Sequence, residues 1–351
     1  MMCTHFLIEK LYATHDLEVE SLKKIIDECG DDRKYDRLMD LALRTREIYY
    51  EKKVYLRALL EFTNYCDNNC FYCGIRRDNK TISRYRLSIE EIKMCCGRAY
   101  SLGYRTFVLQ GGEDRFFSTD LLSDLLQTLK KHYPDAAVTL SIGELRKESY
   151  QQLFHSGADR YLLRQEAFCP AIYHKLHPDM SFENRIRCLY DLKEIGYQTG
   201  AGFIVGLPGQ DSLQLAKELK FIKSLDADMV GIGPLIVHPQ TPLKNFKNGS
   251  VRKTFILLAL IRLLLPQALI PISTAVNTLE KRGWEMGLMS GANVLMPVIS
   301  PEIMRKNYEI YTGKNNVDVS KLENIKKRIQ TAGFTTDMSR GDRYHFKGEK
   351  R

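Results

Sequence analysis

Three cysteines, Cys66, Cys70 and Cys73, fall within eight residues in the stretch NYCDNNCFYCGIRRDN. Thiolates are soft ligands suited to iron and zinc, and three of them can hold a metal cluster while leaving one metal without a protein ligand. A closed structural zinc site takes four ligands, and an electron-transfer iron-sulfur cluster takes four cysteines. The spacing therefore points to chemistry at a vacant coordination position. The nearest other cysteines, Cys95 and Cys96, lie in SIEEIKMCCGRAYSLG, whose spacing predicts a helix on which they pack. Three readings compete: a partial zinc knuckle, a non-catalytic iron-sulfur or zinc scaffold, and a redox pair made of Cys70 and Cys73. The redox pair leaves Cys66 unexplained, and the other two leave the glycine- and acid-rich segments downstream without work.

A loop of this kind needs a scaffold to aim it. After a polar helical leader at about residues 6–50, short apolar segments alternate with amphipathic helices. The predicted strands are 54–63, 105–112, 137–143, 159–166, 200–207, 228–236, 268–275 and 293–300. Strands separated by helix-length segments pair in parallel through right-handed crossovers, and eight of them predict an α/β fold, a closed (β/α)8 barrel. The predicted organisation is a helical extension over 1–50, the barrel over 51–312, and a C-terminal helix with a basic tail over 313–351. An open doubly wound sheet is the alternative, but its G-x-G-x-x-G turn after the first strand is absent.

In such a barrel, function gathers where the strands end. The first predicted strand runs into the cysteine loop, and the second ends in Gln110, Gly111, Gly112, Glu113 and Asp114. The third ends in Ser141, Ile142, Gly143 and Glu144, the fourth in Arg164, Gln165 and Glu166, and the fifth in GLPGQ. Glycines let a ligand approach the backbone, and carboxylates beside them suit an ammonium group. Singly, each is ordinary turn chemistry; their repetition around one rim predicts a site.

The Cys-x3-Cys-x2-Cys spacing, with the aromatic Tyr72 before the last cysteine, resembles the cluster loop of radical S-adenosylmethionine enzymes. That resemblance implies a 4Fe-4S cluster on Cys66, Cys70 and Cys73, with S-adenosyl-L-methionine chelating the open iron and being cleaved reductively to a 5′-deoxyadenosyl radical. GGED, with Gln110 before it, resembles the motif that holds the cofactor's amino group, Gly111 and Gly112 bringing the backbone close and Glu113 supporting it. Ser141 stands at the next strand end as a further cofactor contact. Gly202-Phe203-Ile204-Val205-Gly206 resembles the G-x-I-x-G segment whose backbone flanks adenine, to which Tyr72 adds a contact. Glu166 and Arg185 resemble the pair engaging the ribose hydroxyls and the methionine carboxylate. Arg187, two residues on, must point elsewhere on a helix.

Within the superfamily, CFYCGIRRDNK, VLQGGED, GADRYLLRQE, KLHPDMSFENR, DMVGIGPLIVHPQTPL, GANVLMP and YEIYTGK resemble the HydE family of FeFe-hydrogenase maturases over roughly residues 45–315. Methylornithine synthase and biotin synthase share the barrel and the loop and are the alternatives. The resemblance implies work on a small cysteine-ligated iron complex bearing carbonyl and cyanide inside the barrel, a reductant such as flavodoxin or ferredoxin, and other maturases as partners. Arg57 and Arg164, on strands, are read as inward anion clamps. Thr139, Ser273 and Thr274 offer hydroxyls, and Met296, Tyr308 and Tyr311 are read as closing the far side. No cysteine follows Cys188, so the second cluster that some members carry near the C-terminus is not expected. Cys169 is read as a packed thiol.

At 351 residues and 44% hydrophobic content, the chain can bury the core of one main domain. Its greasiest run, TFILLALIRLLLPQALI, contains Arg262 and Pro266 and is too short for a bilayer; it predicts a buried helix followed by a strand. The first residues lack a positive leader before an apolar core. Nine irregularly spaced cysteines do not form a secretory framework, which predicts a reducing cytoplasm. The net charge of +9 is dispersed, and the locally basic tail SRGDRYHFKGEKR is read as solvated. Nothing resembles an RNA-binding module, so neither nucleic acid nor a membrane is an expected partner.

Overall fold

A strand covered on both faces reads as an unbroken apolar run, and such runs pair in parallel in the computed structural model, which describes residues 3–314 and 321–344. The strands are β1 (Lys53–Leu56), β2 (Ala58–Thr63), β3 (Thr106–Gly111), β4 (Ala137–Ser141), β5 (Arg160–Leu162), β6 (Gln198–Ala201), β7 (Ile204–Val205), β8 (Met229–Val230), β9 (Gly233–Pro234), β10 (Val294–Leu295) and β11 (Thr335–Asp337). They form sheets ordered β2-β3-β4-β5-β6-β8, β10-β1-β11 and β7-β9. Single parallel bridges, Met229 to Leu269, Pro271 to Val294 and Leu59 to Val298, carry the pairing on from β8 back to β2. The fold is thus a parallel (β/α)-type barrel in which the last turns of the ring are joined by isolated bridges.

Several strands are shorter than their apolar runs. The run 54–63 breaks at Arg57, 159–166 is regular only over β5, and 200–207 and 228–236 each split in two. Over 268–275 no regular strand forms: Leu269 and Pro271 make single bridges, and Thr274 already starts a helix. Over 293–300 only β10 and the bridge at Val298 remain. Pro271 and Pro297 cannot donate to a ladder, which limits pairing there.

The leader is three helices, α1 (Thr4–Thr14), α2 (Val19–Glu28) and α3 (Asp32–Tyr50), and α4 (Ile89–Ser101), α5 (Thr119–His132), α6 (Lys147–His155), α7 (Pro170–Leu176), α8 (Phe182–Ile195), α9 (Ser212–Ser224), α10 (Val251–Leu264) and α11 (Thr274–Leu279) follow. Ser88 and Glu91 form a capping box at the start of α4. Residues Thr254 to Leu264 of α10 are all buried, and the arginine in this greasy helix is satisfied by backbone: Arg262 donates to the carbonyls of Gly291 (2.8 Å), Pro266 (2.7 Å) and Ala268 (2.8 Å). Among the described residues no helix is long and apolar enough to cross a membrane. Cys96 is fully packed and Cys95 partly so, both on α4.

The tail departs from the solvated reading. Arg340 to Arg343 enter the N-terminal mouth of the barrel, where Asp342 pairs with Arg160 and accepts from Gln198 Nε2 (2.7 Å). Arg343 pairs with Asp226 and Asp228, both at 2.8 Å, and Arg340 with Asp159 (3.2 Å). Burial opposes the Asp342 charge, yet Arg160 and Arg340 hold its carboxyl well below the usual range. The alternating charges of SRGDR match alternating charges on the strand starts, so the segment docks. The rest of the tail, residues 345–351, lies outside the described residues.

Towards the other mouth the barrel is hollow. Along 162–166, Leu162, Arg164 and Glu166 are partly exposed while Leu163 and Gln165 are buried. Gln110, Ser141, Gly231, Ser273 and Met296 repeat this on other segments. Side chains facing the helices are therefore sealed, and those facing the axis look into a cavity rather than into the filled core usual for such barrels.

Candidate functional site

The cysteine loop follows β2 and is held largely through its backbone. Asp67 N donates to Glu113 O (2.9 Å), Phe71 N to Leu176 O (2.9 Å), Gly74 N to Ile310 O (2.8 Å) and Arg77 N to Asn68 O (2.8 Å). The Arg84 guanidinium sits beneath and donates to the carbonyls of Ile75 (2.8 Å) and Asn79 (3.2 Å). None of these bonds uses a thiol. Burial pushes Cys73 up to about 12 and raises Cys66 and Cys70 as well, and Cys70 and Cys73 feel their neighbouring thiols. Among the described residues no three His, Cys, Asp or Glu side chains converge tightly enough for a single metal ion. Three neighbouring cysteines within one eight-residue loop are a soft donor set that suits an iron-sulfur cluster.

Gly112 is where the second strand end meets this loop. A Cβ there would lie 2.1 Å from Tyr65 O and 2.7 Å from Cys66 Cβ. Gly112→Ala is therefore expected to displace Cys66 and to lower the iron retained after anaerobic reconstitution by severalfold, read as iron per chain.

Around the rim, an arginine is clasped by carboxylates. On α8, Arg185 Nε donates to Glu144 Oε1 (2.6 Å) and Nη1 to Arg164 O (2.8 Å), and Nη2 lies 3.8 Å from Glu113 Oε1. Burial disfavours the Arg185 charge, but Tyr173, Glu144 and Glu113 outweigh it and hold the group well above its usual range. Burial pushes the Glu113 carboxyl up to about 7, with Arg185 pulling it down and Glu144 pushing it up. Arg187 turns outward to Asp191. Glu166 sits at φ 64, a left-handed conformation that costs a non-glycine residue about 1–2 kcal/mol. Its Oε2 is 3.3 Å from Arg164 Nη2 but makes no hydrogen bond among the described residues, and Arg164 Nε is likewise without one. Such unpaired groups at a cavity mouth suit a polar ligand.

Tyr72 is partly buried against β7 and α7. Its hydroxyl lies 2.8 Å from His177 Nε2, while His177 Nδ1 lies 2.9 Å from Tyr173 O. A carbonyl only accepts, so Nδ1 carries the proton and Nε2 receives the Tyr72 hydroxyl. Burial holds the imidazole neutral, lowered to about 3. Cys169 packs in the same apolar group as Tyr72 and Ile204. Gly202 lies so close to the next strand that a Cβ would be 1.9 Å from Gly231 O.

Inside the barrel, Thr139 Oγ1 and Ser273 Oγ are buried without a hydrogen-bond partner among the described residues. Thr274 Oγ1 bonds Tyr311 Oη, and Gln110 Nε2 donates to Tyr308 Oη (3.3 Å). Met296 packs on Leu59, Val108 and Val298. Arg57 is not with them: its Nη2 donates to Gly341 O (3.0 Å) and its Nη1 faces Met229 Sδ (3.3 Å), at the tail-filled end. The reading of Arg57 as an anion clamp is corrected on this ground, since Arg57 lies at the tail-filled end with Nη2 taken by Gly341 O, away from the residues that face the cavity. Glu61, Lys314 and His177 are residues that sequence reasoning misses, while Glu144 stands at a predicted strand end without a role of its own. A glutamate inside the unbroken apolar strand ALLEFT was the available signal for Glu61; for Lys314 nothing local distinguished it.

The chain matches the family model described as the Radical SAM superfamily over residues 60–222. It is 46% identical over 301 residues to the [FeFe] hydrogenase maturase subunit HydE of Thermotoga maritima, covering 85% of this chain and 86% of that protein. It is 27% identical to 3-methylornithine synthase of Methanosarcina acetivorans over 93% of this chain and 92% of that one. The crystal structure of a methylornithine synthase superposes with a TM-score of 0.82 at 25% identity, covering 94% of this chain and 97% of that one.

Proposed function

Because the chain belongs to the radical S-adenosylmethionine superfamily and to its HydE branch of FeFe-hydrogenase maturases, we propose that its hollow barrel holds a small anionic iron complex beside the cysteine loop. The protein is a radical enzyme that cleaves S-adenosyl-L-methionine reductively and serves hydrogenase maturation. When bound, a 4Fe-4S cluster with one open iron supplies the electron that splits the cofactor's sulfonium and releases a 5′-deoxyadenosyl radical.

The chain's own residues do the rest. Cys66, Cys70 and Cys73 would hold the cluster. Gly111, Gly112 and Glu113 would take the cofactor's ammonium, with Gln110 and Ser141 lining the approach. The Arg185 Nη2, less committed than its other nitrogens, would take the methionine carboxylate. Glu166 would offer its unpaired oxygen to the ribose, and Gly202, Ile204 and Tyr72 would frame adenine. Arg164, Thr139, Ser273 and Thr274 present charge and hydroxyls to the substrate, while Met296, Tyr308 and Tyr311 wall the cavity from water and stray hydrogen donors. A cysteine-ligated iron carbonyl/cyanide complex fits this polarity. A one-electron reductant of the flavodoxin or ferredoxin kind and fellow maturases are the partners this chemistry calls for.

The observation that carries the substrate reading is Arg164, half-exposed to the cavity with an unpaired Nε. Arg164→Leu should keep its iron and still release 5′-deoxyadenosine, but hydrogenase maturation should fall by about a hundredfold, since a charge-assisted pair is lost together with a buried partner. Normal hydrogenase activation by this variant would remove Arg164 from the substrate site.

A further inference from the structure

Gln165 and Glu218 lie behind the rim, on the sealed side of the strand, and none of the chemistry above uses them. Both side chains are buried, at 0% and 1% exposure. Gly202 N donates to Gln165 Oε1 (2.8 Å), and Gln165 Nε2 donates to Glu218 Oε2 (2.9 Å). The other oxygen of Glu218, which reaches in from α9, accepts from Phe168 N. In front of this relay, Glu166 N donates to Gly202 O (3.0 Å) and Ile204 N to Glu166 O (3.2 Å), which ties the two segments into one bridge at Glu166 and Phe203.

A carboxylate in this place is costly. Burial pushes Glu218 up to about 7 against the two N–H groups that favour its charge. An apolar side chain would fill the space without that penalty, so the relay needs a reason. Its polarity supplies one. Gly202 and Phe168 each bring a backbone donor, one to each end of the Gln165–Glu218 pair, and both ends must accept. An amide and a carboxylate satisfy this; two amides cannot.

We propose that Gln165 and Glu218 are positioning residues that fix the Gly202–Ile204 backbone and the left-handed turn of Glu166, and so shape the seat for the adenosine half of the cofactor. The cofactor assignment rests on the proposed function, whereas the brace itself can be read without any cofactor. Gln165 bonds the amide of Gly202 directly, and Glu218 acts only through Gln165 and Phe168.

The relay predicts a polarity swap. In Glu218→Gln, one of the two donors meets an amide nitrogen. In the double variant Gln165→Glu with Glu218→Gln, the carboxylate accepts from Gly202 and from the new amide, and that amide's oxygen accepts from Phe168, so every donor is again paired at unchanged size and charge. Two readouts test this. Amide hydrogen exchange of the metal-free protein should quicken about tenfold at Gly202 or at Phe168, whichever meets the amide nitrogen, in Glu218→Gln and return towards the parent rate in the double variant. S-adenosylhomocysteine binding to the reconstituted protein should weaken about tenfold in the single variant and recover in the double, with iron content equal in all three. Exchange that is unchanged in the single variant, or unrescued in the double, overturns the brace. Rescued exchange together with a parent protein that binds no S-adenosylhomocysteine overturns the cofactor assignment alone and leaves the brace standing.

Discussion

Cys70→Ala is expected to come out of anaerobic reconstitution without the brown absorption of a cluster and with iron at background, where the parent carries about four irons per chain. Cys70 is the middle cysteine of the loop and partly buried, and its thiol is raised by burial and then by Cys73 and Cys66. A group that resists ionisation becomes a thiolate only against a metal's positive charge, so the loop and the cluster form together. With one thiolate removed, the remaining two cannot retain a cluster that already keeps one iron for the cofactor. Changes to groups that merely support metal ligands cost about 10–100-fold, and loss of a ligand should exceed this. Release of 5′-deoxyadenosine under dithionite should fall at least about a hundredfold. Cys96→Ala is the matched control. It deletes a buried thiol of α4 that behaves as a small hydrophobe, so it should lose some stability and keep its iron. Full cleavage by Cys70→Ala would refute the three-ligand assignment, and a loaded, reduced parent protein that never cleaves the cofactor would favour a scaffold.

Much of the fold was legible because parallel strands covered on both faces leave continuous apolar runs, and VYLRALLEFT, RTFVLQGG and AVTLSIG all contain regular strands. The run 268–275 was overread for a physical reason: apolar composition records burial, not pairing. Leu269, Ile270 and Ile272 are buried, yet Pro271 interrupts the ladder and Thr274 turns into a helix. The same holds for length at 159–166, where burial alternates through Glu166 while the regular ladder stops at Leu162 and only a single bridge resumes at Glu166.

The rim was more legible than the interior. Strand-end residues Gly112, Glu113, Glu166 and Gly202 gather beside the cysteine loop because every βα loop of a parallel barrel opens on the same face. Height within the barrel is another matter. Period-two alternation turns Arg57 and Arg164 both towards the axis, but it does not say that Gly341 arrives to claim one of them. That contact spans 284 positions in sequence. Glu61 and Lys314 escaped for the same reason, being separated by 253 positions and meaningful only as a pair.

Lys314→Met is expected to destabilise the metal-free protein by about 3–5 kcal/mol at pH 7, the usual cost of removing one partner from a buried ion pair. Lys314 reaches into the barrel wall to pair with Glu61, with side-chain exposures of 5% and 0%. Its ammonium lies 4.9 Å from the Tyr308 ring centre and bonds Glu61 Oε1, while Glu61 Oε2 has no hydrogen-bond partner among the described residues. Burial raises the Glu61 carboxyl above its usual 4.5 and Lys314 pulls it back. A raised carboxyl binds its proton more tightly in the folded protein than in the unfolded chain. Stability from this group is therefore full below the unfolded value and is lost as pH rises towards the folded one. Removing Lys314 lifts the folded value further and widens that window upward, so the cost should be largest at neutral pH and shrink towards pH 4.5. Denaturant unfolding of parent and variant across this range reads the difference directly. Lys314→Met combined with Glu61→Gln should recover most of the loss, because no charge is then stranded. A cost independent of pH would mean that Lys314 contributes by packing on Tyr308 and not by its charge. The pair also has a place in the site: the segment leading to Lys314 is tied to the cysteine loop through Ile310 O and Gly74 N (2.8 Å) and through Asn307 O and Asn64 Nδ2 (2.7 Å). The ion pair thus latches the wall that carries Tyr308 and Tyr311, and the stability it supplies goes to the segment that must keep water from the cavity.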